Sequence, residues 1–162
     1  MRLNLNDIVG VQGAKKPFDF SLTLPDLPAC TIHNPAQASG AVCNIASTLE
    51  LRGELQVRMT CACDRCMDTF ALDETLPITA YLAETLTDEE NPDMFLLEGG
   101  SVDLDEVFTT MFLLDMESKT LCREDCEGLC TSCGANLNHG PCACKKEVDP
   151  RLAALQQLLD IE

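Results

Sequence analysis

The sequence is poor in the aromatic side chains from which many protein cores are built. Its 162 residues include six phenylalanines, one tyrosine and no tryptophan, while 46% of the residues are hydrophobic. The core must therefore consist mainly of aliphatic side chains. A chain of this length is typical of one domain, or of one domain with a small appendage.

Long apolar runs are also missing from the sequence. Its apolar runs are all shorter than the roughly 20 residues that a helix needs to cross a bilayer. The first residues lack the apolar stretch and the small-residue cleavage site of a secretory signal. These two absences predict a cytoplasmic protein without membrane association.

Little in the sequence points to catalysis. A phosphate-binding glycine loop, a nucleophile elbow and an H-E-x-x-H motif are all missing. Of the two histidines, His33 lies among residues typical of an exposed loop, and His139 competes as a metal ligand with six nearby cysteines. We therefore predict that the protein is not an enzyme, with no catalytic residues and no small-molecule substrate.

Negative charge dominates the chain, and it is unevenly distributed. The formal charge is −16; residues 1–118 hold 6 basic and 20 acidic side chains, residues 119–151 hold 5 of each, and the last eleven residues add −2. So acidic a body repels nucleic-acid phosphates and favours a basic protein partner, unless its charge serves solubility alone. Contacts to RNA or a partner are expected from the basic residues near the cysteines: Lys119, Arg123, Lys145, Lys146 and Arg151.

The clearest structural signal is a pair of alternating segments. Apolar residues occupy odd positions over residues 49–61 and even positions over residues 70–82. Two such strands, joined by a short connection that contains Cys63 and Cys66, predict an antiparallel hairpin. Gly53 within the first strand indicates a bulge or a tight turn.

The remaining elements predict an α+β fold. Further strands are expected at residues 18–24 and 94–97, and the latter precedes a Gly99–Gly100 turn. Asp103 and Glu106 form a capping-box pattern at the start of a predicted helix over residues 103–116. We expect a curled, barrel-like antiparallel sheet with this helix in a domain of residues 1–118.

The second predicted unit, residues 119–162, contains the cysteine-rich segment. Its residues 119–149 have no hydrophobic period from which a core could form. Asp149 and Pro150 then indicate the start of a short amphipathic C-terminal helix, with leucines on one face. The acidic residues 84–93 of the first unit are interpreted as an exposed loop.

Eleven cysteines are many for a chain of this length. An odd number without an export signal argues against a disulfide scaffold, because the cytosol keeps thiols reduced. Six of them crowd into the last third as close pairs, of which Cys130-Thr-Ser-Cys133-Gly134 is the most informative, and this pattern predicts a structural zinc site. The predicted ligands are Cys122, Cys126, Cys130, Cys133, Cys142 and Cys144.

The choice among these six thiols stays open. Cys130 and Cys133 are the firmest ligands, joined by one cysteine from the preceding pair and one from the following pair. The hairpin pair, Cys63 and Cys66, brings the number of paired cysteines to eight, enough for a second zinc site. A redox pair and two unligated thiols are the alternatives for that pair.

Other cysteine chemistry is less favoured. An iron–sulfur cluster could use four of the thiols, but the C-x2-C-G turn favours zinc. A thioredoxin-like site would place its cysteines at the start of a helix after a strand, which differs from a hairpin turn. We interpret Cys30, Cys43 and Cys61 as small buried apolar residues.

Several segments resemble the YceD family, described as large ribosomal RNA subunit accumulation proteins. They are Cys63-Asp-Arg-Cys66-Met, the run from Leu121 to Asn138, Cys142-Ala-Cys144 and Asp149-Pro-Arg-Leu-Ala-Ala-Leu155. The resemblance covers most of the chain in order. Glu127 and Thr131 depart from the family pattern, in which a basic residue and a proline are common, and Glu127 makes the segment less basic.

This resemblance implies a non-enzymatic role in producing or stabilising the large-subunit ribosomal RNA. Combined with the charge pattern, it favours docking to a basic protein or ribonucleoprotein of the large-subunit precursor, with the metal-bearing segment nearest the RNA. A cytosolic thiol redox or redox-sensing protein that uses the C-x-x-C pairs is the alternative function. An adaptor module unrelated to ribosomes is a third.

Overall fold

The computed structural model describes residues 1–46, 48–84, 93–117 and 119–144. These residues form strands and one α-helix, and end in a cysteine-rich segment with a single short 3₁₀ helix. The strands are β1 (Arg2–Asn4), β2 (Lys15–Leu22), β3 (Cys30–Ile32), β4 (Ala36–Ile45), β5 (Thr48–Ala62), β6 (Thr69–Ala83), β7 (Met94–Leu96) and β8 (Ser101–Asp103). The helices are α1 (Leu104–Asp115) and the 3₁₀ helix (Leu137–His139).

The main sheet has the strand order β2-β4-β5-β6-β7, and β3 pairs with the end of β5 that β4 leaves uncovered. All neighbours in it are antiparallel except β6 and β7, which are parallel. Strands β1 and β8 form a separate antiparallel pair. The predicted α+β class is therefore confirmed.

The predicted hairpin is confirmed as the longest feature of the sheet. Strands β5 and β6 each have 15 residues and pair from Leu49↔Leu82 to Ala62↔Thr69. The apolar positions of β5 lie buried on one face, as the period-two alternation requires. Because the two strands pair over this length, the turn between them projects far from the centre of the sheet.

Helix α1 covers the inner face of the sheet. Its side chains Leu104, Val107, Phe108 and Phe112 are buried. The Phe108 ring packs edge-to-face against both Phe18 and Phe20 of β2, with centroids 5.6 Å apart in each case. At its start, the Asp103 side chain accepts a hydrogen bond from the Asp105 amide, which confirms the predicted N-cap.

The expected barrel-like closure is wrong. Within the described ranges, β2 and β7 lie at opposite ends of the strand order and no pairing joins them, so the sheet stays open. Helix α1 closes the core instead, since it covers the apolar face that closure would otherwise bury.

Gly53 is not a bulge. It pairs in unbroken register with Gly40 on β4 and with Ile78 on β6. A Cβ atom on Gly53 would lie 3.2 Å from both the Phe18 and the Phe108 rings. The two facing glycines therefore provide the space into which these rings pack, which is a second known reason for glycine in a strand.

One disulfide was not expected. Cys30 on β3 and Cys61 on β5 are direct cross-strand partners, and their sulfurs are bonded. Both residues are buried, as predicted, but the interpretation of them as unpaired thiols is wrong, because β3 lies beside the end of β5. Cys43, also read as a buried apolar residue, is a half-buried free thiol.

The remaining predictions have mixed outcomes. Strand β7 and the Glu98–Ser101 turn, with Gly99 and Gly100 left-handed, match the expected strand and turn. The predicted C-terminal helix and most of the predicted acidic loop lie outside the described residues. The domain boundary at residue 118 stays a prediction. The described part of the chain holds no helix with the length and apolar character needed to cross a bilayer.

We expect Gly40→Ala to lower the free energy of unfolding by about 1–3 kcal/mol, the usual cost of overpacking a filled core. The added Cβ would lie 2.5 Å from the Gly53 Cα, 2.9 Å from the Phe18 ring and closer still to the Arg52 carbonyl oxygen. Urea unfolding of the purified protein measures the change. Gly10→Ala is the matched control, because a Cβ at Gly10 meets no atom within 4 Å; equal effects of both substitutions would contradict this explanation.

Candidate metal centres

The turn of the β5–β6 hairpin is a cysteine knuckle that carries Cys63 and Cys66. The Cys63 amide donates to the Asp68 carbonyl at 2.9 Å, and the Met67 amide donates to the Cys63 carbonyl at 2.9 Å. Met67 has a left-handed backbone, with φ 63°, which reverses the chain directly after the second cysteine. Both sulfurs thereby lie on one side of the turn.

The same backbone pattern recurs in the cysteine-rich segment. The Cys130 amide donates to the Ala135 carbonyl at 2.8 Å, and the Gly134 amide donates to the Cys130 carbonyl at 2.8 Å. Gly134 has φ 72° and occupies the place that Met67 has in the hairpin turn. The chain thus forms two C-x2-C turns of matching hydrogen-bond pattern, one in the sheet and one outside it.

Each knuckle meets a second pair of cysteines. The inner centre, as we name it, consists of Cys63, Cys66, Cys122 and Cys126, and the outer centre consists of Cys130, Cys133, Cys142 and Cys144. Within each centre the four sulfur atoms lie within 4.8 Å of one another. All eight paired cysteines of the sequence are therefore used in two groups of four.

The sulfur geometry of the inner centre fits a tetrahedral zinc ion. The Sγ atoms of Cys63 and Cys126 are 3.7 Å apart, as are those of Cys66 and Cys122. A tetrahedron with Zn–S bonds of about 2.3 Å has edges of about 3.8 Å. Four thiols without histidine or carboxylate are also the ligand set of a closed structural zinc site. Zinc bound there would cross-link the hairpin turn to the cysteine-rich segment.

In the inner centre, backbone amides oppose the effect of burial on the pKa values of the cysteines. Burial raises the pKa of Cys63, but the amides of Cys122, Cys66 and Arg65 outweigh it and lower that pKa to about 6. At Cys66, the Asp68 amide lowers the pKa, while burial and the neighbouring sulfurs outweigh it and raise the pKa to about 12. One thiolate thus opposes ionisation of its neighbours, and a bound cation would remove this repulsion.

Hydrogen bonds on both sides of the inner centre join the hairpin turn to the cysteine-rich segment. Asp64 makes two bonds with Thr120: its amide donates to the Thr120 carbonyl at 2.9 Å and its carboxylate accepts from the Thr120 amide at 2.7 Å. The Arg65 carbonyl accepts from the Leu129 amide, and its guanidinium donates to the Glu124 and Cys126 carbonyls. These hydrogen bonds hold the hairpin turn against residues 120–129.

Two asparagines complete the arrangement. The Asn138 amide group donates to the Cys126 sulfur at 3.3 Å, while its carbonyl oxygen accepts from the Glu127 amide and from Arg123. Asn136 donates to the Asp68 carboxylate at 2.6 Å. Such second-layer bonds orient metal ligands and tune their charge. Neither asparagine is among the site residues predicted from the sequence. The only sequence signal for them is the repeated asparagine in Gly134-Ala-Asn-Leu-Asn138.

The outer centre is far more accessible than the inner one. Cys133 and Cys144 are exposed, whereas Cys63, Cys66 and Cys126 of the inner centre have exposed fractions of 0%, 3% and 4%. The amides of Cys133 and Ser132 lower the pKa of Cys130 to about 6. The neighbouring thiol of Cys133 and burial raise the pKa of Cys144 to about 12, so here too one sulfur is charged at the expense of another.

The grouping of thiols differs from the one expected. Cys122 and Cys126 join the hairpin pair rather than Cys130 and Cys133, because hydrogen bonds bring the hairpin turn against residues 120–129. Cys142 and Cys144 both belong to the outer centre. His139 ends the 3₁₀ helix and belongs to neither group.

The basic residues proposed for RNA contact are only partly described. Lys119 is exposed, and Arg123 is engaged by Asp125 at 3.2 Å and by Asn138 at 2.7 Å. Lys145, Lys146 and Arg151 lie outside the described residues. The His33 ring contacts the Thr60 hydroxyl at 2.7 Å on the exposed surface, in agreement with its interpretation as a surface residue.

A protein-family model matches a region of the chain that contains both centres. The family model described as "Large ribosomal RNA subunit accumulation protein YceD" matches residues 51–159, which include the hairpin and all eight clustered cysteines. The chain belongs to the YceD family. The sequence resemblance is thereby confirmed.

Curated relatives of this YceD-family chain include mycobacterial proteins. Uncharacterized proteins of Mycobacterium bovis and Mycobacterium tuberculosis are each 25% identical over 151 residues, covering 82% of this chain and 73% of theirs. An uncharacterized protein of Mycobacterium leprae is 30% identical over 79 residues, covering 49% of this chain and 36% of its own. No solved structure is significantly similar to the chain.

We expect the purified protein to hold about two zinc ions per chain, since each centre supplies four thiolates. Cys63→Ser and Cys130→Ser should each lower the content to about one ion, measured by elemental analysis of protein dialysed against metal-free buffer. Cys43→Ser is the matched control and should retain both, because Cys43 belongs to neither centre. A single ion in the unsubstituted protein, or the visible absorption of an iron–sulfur cluster, would contradict the expectation.

The two centres should release metal at different rates. A chelator such as EDTA should remove one zinc quickly from the exposed outer centre and the other slowly from the buried inner one, because access limits ligand exchange. A colorimetric zinc indicator follows both phases. Cys133→Ser should abolish the fast phase and leave the slow one; release in one uniform phase would show that exposure does not separate the centres.

Proposed function

We propose that this protein is a non-enzymatic, zinc-containing cytoplasmic factor that promotes accumulation of the large-subunit ribosomal RNA by binding a basic protein or ribonucleoprotein of the large-subunit precursor. The family match over residues 51–159 carries the proposal. It spans most of the hairpin and both candidate metal centres, so the matched region contains the part of the chain that metal would organise.

The charge distribution supports a basic partner rather than naked RNA. Residues 1–118 hold 20 acidic and 6 basic side chains, and a surface of this sign repels phosphates while it attracts cationic protein segments. A basic protein of the large-subunit precursor would carry the charge opposite to that of residues 1–118. Lys119 is an exposed cation in the neutral segment beside the inner centre, consistent with the RNA being nearest to that segment.

The closed character of the centres supports a structural role for the metal. A hydrolytic zinc site keeps one coordination position for water and usually has a general base nearby. Each centre here offers four cysteine sulfurs to one ion. With all four ligands bound, the ion would fix the fold of the segment between residues 120 and 144 and would contribute folding free energy directly.

The proposal predicts that cells lacking the gene contain less large-subunit than small-subunit ribosomal RNA. Quantification of both RNAs in the deletion strain measures this ratio. The unsubstituted protein and Cys43→Ser should restore the ratio, while Cys63→Ser should not, because it breaks the inner centre that joins hairpin and segment.

Sedimentation tests the physical association behind this effect. In a gentle lysate the protein should co-migrate with large-subunit precursors and not with mature ribosomes, and it should dissociate at high salt because the contact is electrostatic. The proposed function would be overturned if the protein stays at the top of the gradient at low salt and the deletion strain has a normal ratio of large-subunit to small-subunit ribosomal RNA.

A second candidate function, in thiol redox chemistry or redox sensing, is favoured by one observation. The Cys30–Cys61 disulfide ends two residues before Cys63 of the inner centre. In this function, Cys30 and Cys61 would be two thiols in unstressed cells and would form the disulfide under oxidative challenge, giving two electrons and two protons to the added oxidant, while zinc is retained. Alkylation of cell extracts followed by mass spectrometry measures that state; an unchanged state under challenge counts against this candidate.

A further inference from the structure

Strand β6 has one long edge without a strand partner in the described part of the chain. Its other edge pairs with β5 along the whole hairpin. On the free side, β7 pairs only with Tyr81–Ala83. From Thr69 to Ala80 this edge therefore faces outward without a described neighbouring strand, which is the arrangement that an added strand can extend.

The register shows which backbone groups point outward. The Cys63 amide bonds to the Asp68 carbonyl, so in an antiparallel ladder the hydrogen-bonded pairs then fall on the even residues of β6. The odd residues direct their N–H and C=O groups away from β5, and the Tyr81 amide does so, donating to the Asp93 carbonyl. Ala71, Asp73 and Thr75 thus present their backbone groups on the free edge.

Pro77 supports this assignment. It also lies at an odd position, whose N–H would point away from β5, so the missing N–H of proline leaves the pairing with β5 intact. The proline removes one outward donor and so limits the available edge to about the seven residues before it. The edge at Thr69–Thr75 is therefore the part that can accept a strand.

A cleft of about 580 Å³ lies along this part of the edge. One wall is formed by residues 72–76 of β6 and the other by residues 115–117 and 119–121, which lead from α1 to the inner centre. Half-buried apolar side chains line it: Leu72, Leu76, Met116 and Leu121.

Acidic side chains surround the apolar lining. Four carboxylates line the cleft against one cation, Lys119; they are Asp73, Glu74, Asp115 and Glu117. Burial, and then the negative charges of Glu117 and Asp115, raise the pKa of Glu74. The carboxylates therefore repel one another in the described structure, and a cationic ligand would relieve this repulsion.

We propose that this cleft binds an extended, basic segment of a partner protein, which adds as a strand to the Thr69–Thr75 edge of β6. The inference rests on the proposed function, in which the partner is basic, and it assigns the surface and the mode of binding. Backbone hydrogen bonds supply affinity, and the apolar lining accepts apolar side chains on the sheet face that Leu72 and Leu76 share. Lysines or arginines on that same face of the added strand pair with Glu74, Asp115 and Glu117, and those on the opposite face pair with Asp73.

The observations favour this occupant over others. A second copy of the chain would bring its own four carboxylates to the cleft, and an RNA would bring phosphates, so both meet electrostatic repulsion. A helix satisfies its own backbone groups and would leave those of Ala71, Asp73 and Thr75 without protein partners. An extended basic segment matches the backbone, the lining and the charge together.

The probe is a fluorescent seven-residue peptide, Lys-Lys-Val-Val-Lys-Lys-Val, which presents both lysine and valine on each face of a strand. It is titrated with the full-length protein in low salt. We expect Asp115→Lys with Glu117→Lys to weaken binding about tenfold or more, as charge reversal in a recognition site does. The matched control reverses two exposed acids outside the cleft, Asp19→Lys with Glu84→Lys, and should leave the affinity unchanged although the net charge changes equally.

Backbone pairing is tested separately. Thr75→Pro removes one outward N–H and should weaken peptide binding, whereas Thr75→Ala keeps that N–H and should not. The edge already contains Pro77 at an equivalent position, so the substitution is compatible with the strand, and thermal unfolding checks this. Two further peptides, N-methylated at the odd or at the even residues, test the same bonds with the unsubstituted protein. The one methylated at the residues that face β6 should bind about tenfold more weakly, and the other should bind as the parent peptide does.

Several results would overturn the proposal. They are equal loss in the two charge-reversed proteins, unchanged binding of both N-methylated peptides, a dimer that Thr75→Pro dissociates, and binding that appears only after removal of residues 145–162. If any of these occurs while the protein still sediments with large-subunit precursors, the surface is wrong and the proposed function stands. If the peptide binds as expected but the precursors do not, the surface stands and the proposed function falls.

Discussion

The association of the hairpin turn with the cysteine-rich segment is the constraint on which the rest of the molecule depends. Residues 119–144 have too few apolar side chains to form a core, and a segment of this kind needs another means of holding one conformation. A metal bound in the inner centre would supply it, because two of the sulfurs come from the hairpin turn and two from the segment. Hydrogen bonds from Asp64 and Arg65 then align the two parts around the sulfurs.

The length of the hairpin makes this association available. Strands β5 and β6 extend beyond the body covered by β4, and β3 and the Cys30–Cys61 disulfide support the far end of β5. Near the body, the sheet is packed tightly by α1, with Phe108 against Phe18 over the facing glycines. Toward the turn, the inner face of β6 is only half-buried, and its outer edge is unpaired within the described residues. The same extension thus builds the metal centre and exposes the cleft beside it.

The two parts of the chain differ in charge. Residues 1–118 hold 20 acidic and 6 basic side chains, while residues 119–151 hold equal numbers of basic and acidic residues. Arg123, which sequence reasoning placed among the residues for RNA contact, is bonded to Asn138 and Asp125 and so contributes to the segment itself. The inner centre is largely buried, and its Cys126 sulfur accepts a hydrogen bond from Asn138, an arrangement suited to a structural metal site. The outer centre has two exposed cysteines, so a metal bound there would exchange more readily with solution.

The local features of the fold are readable from the amino-acid sequence, because they depend on near neighbours in the chain. Alternation over 49–61 and 70–82 defines the hairpin, the Asp103 cap starts α1, and the C-x2-C spacing identifies Cys130 and Cys133 as a knuckle. Which cysteines meet depends on the folded chain, since Cys63 and Cys126 are 63 positions apart and no local period relates them. The disulfide, the open sheet and the role of Gly53 likewise follow from contacts between distant strands. Pairing of that kind is chosen by the packing of the whole fold, which local spacing does not specify.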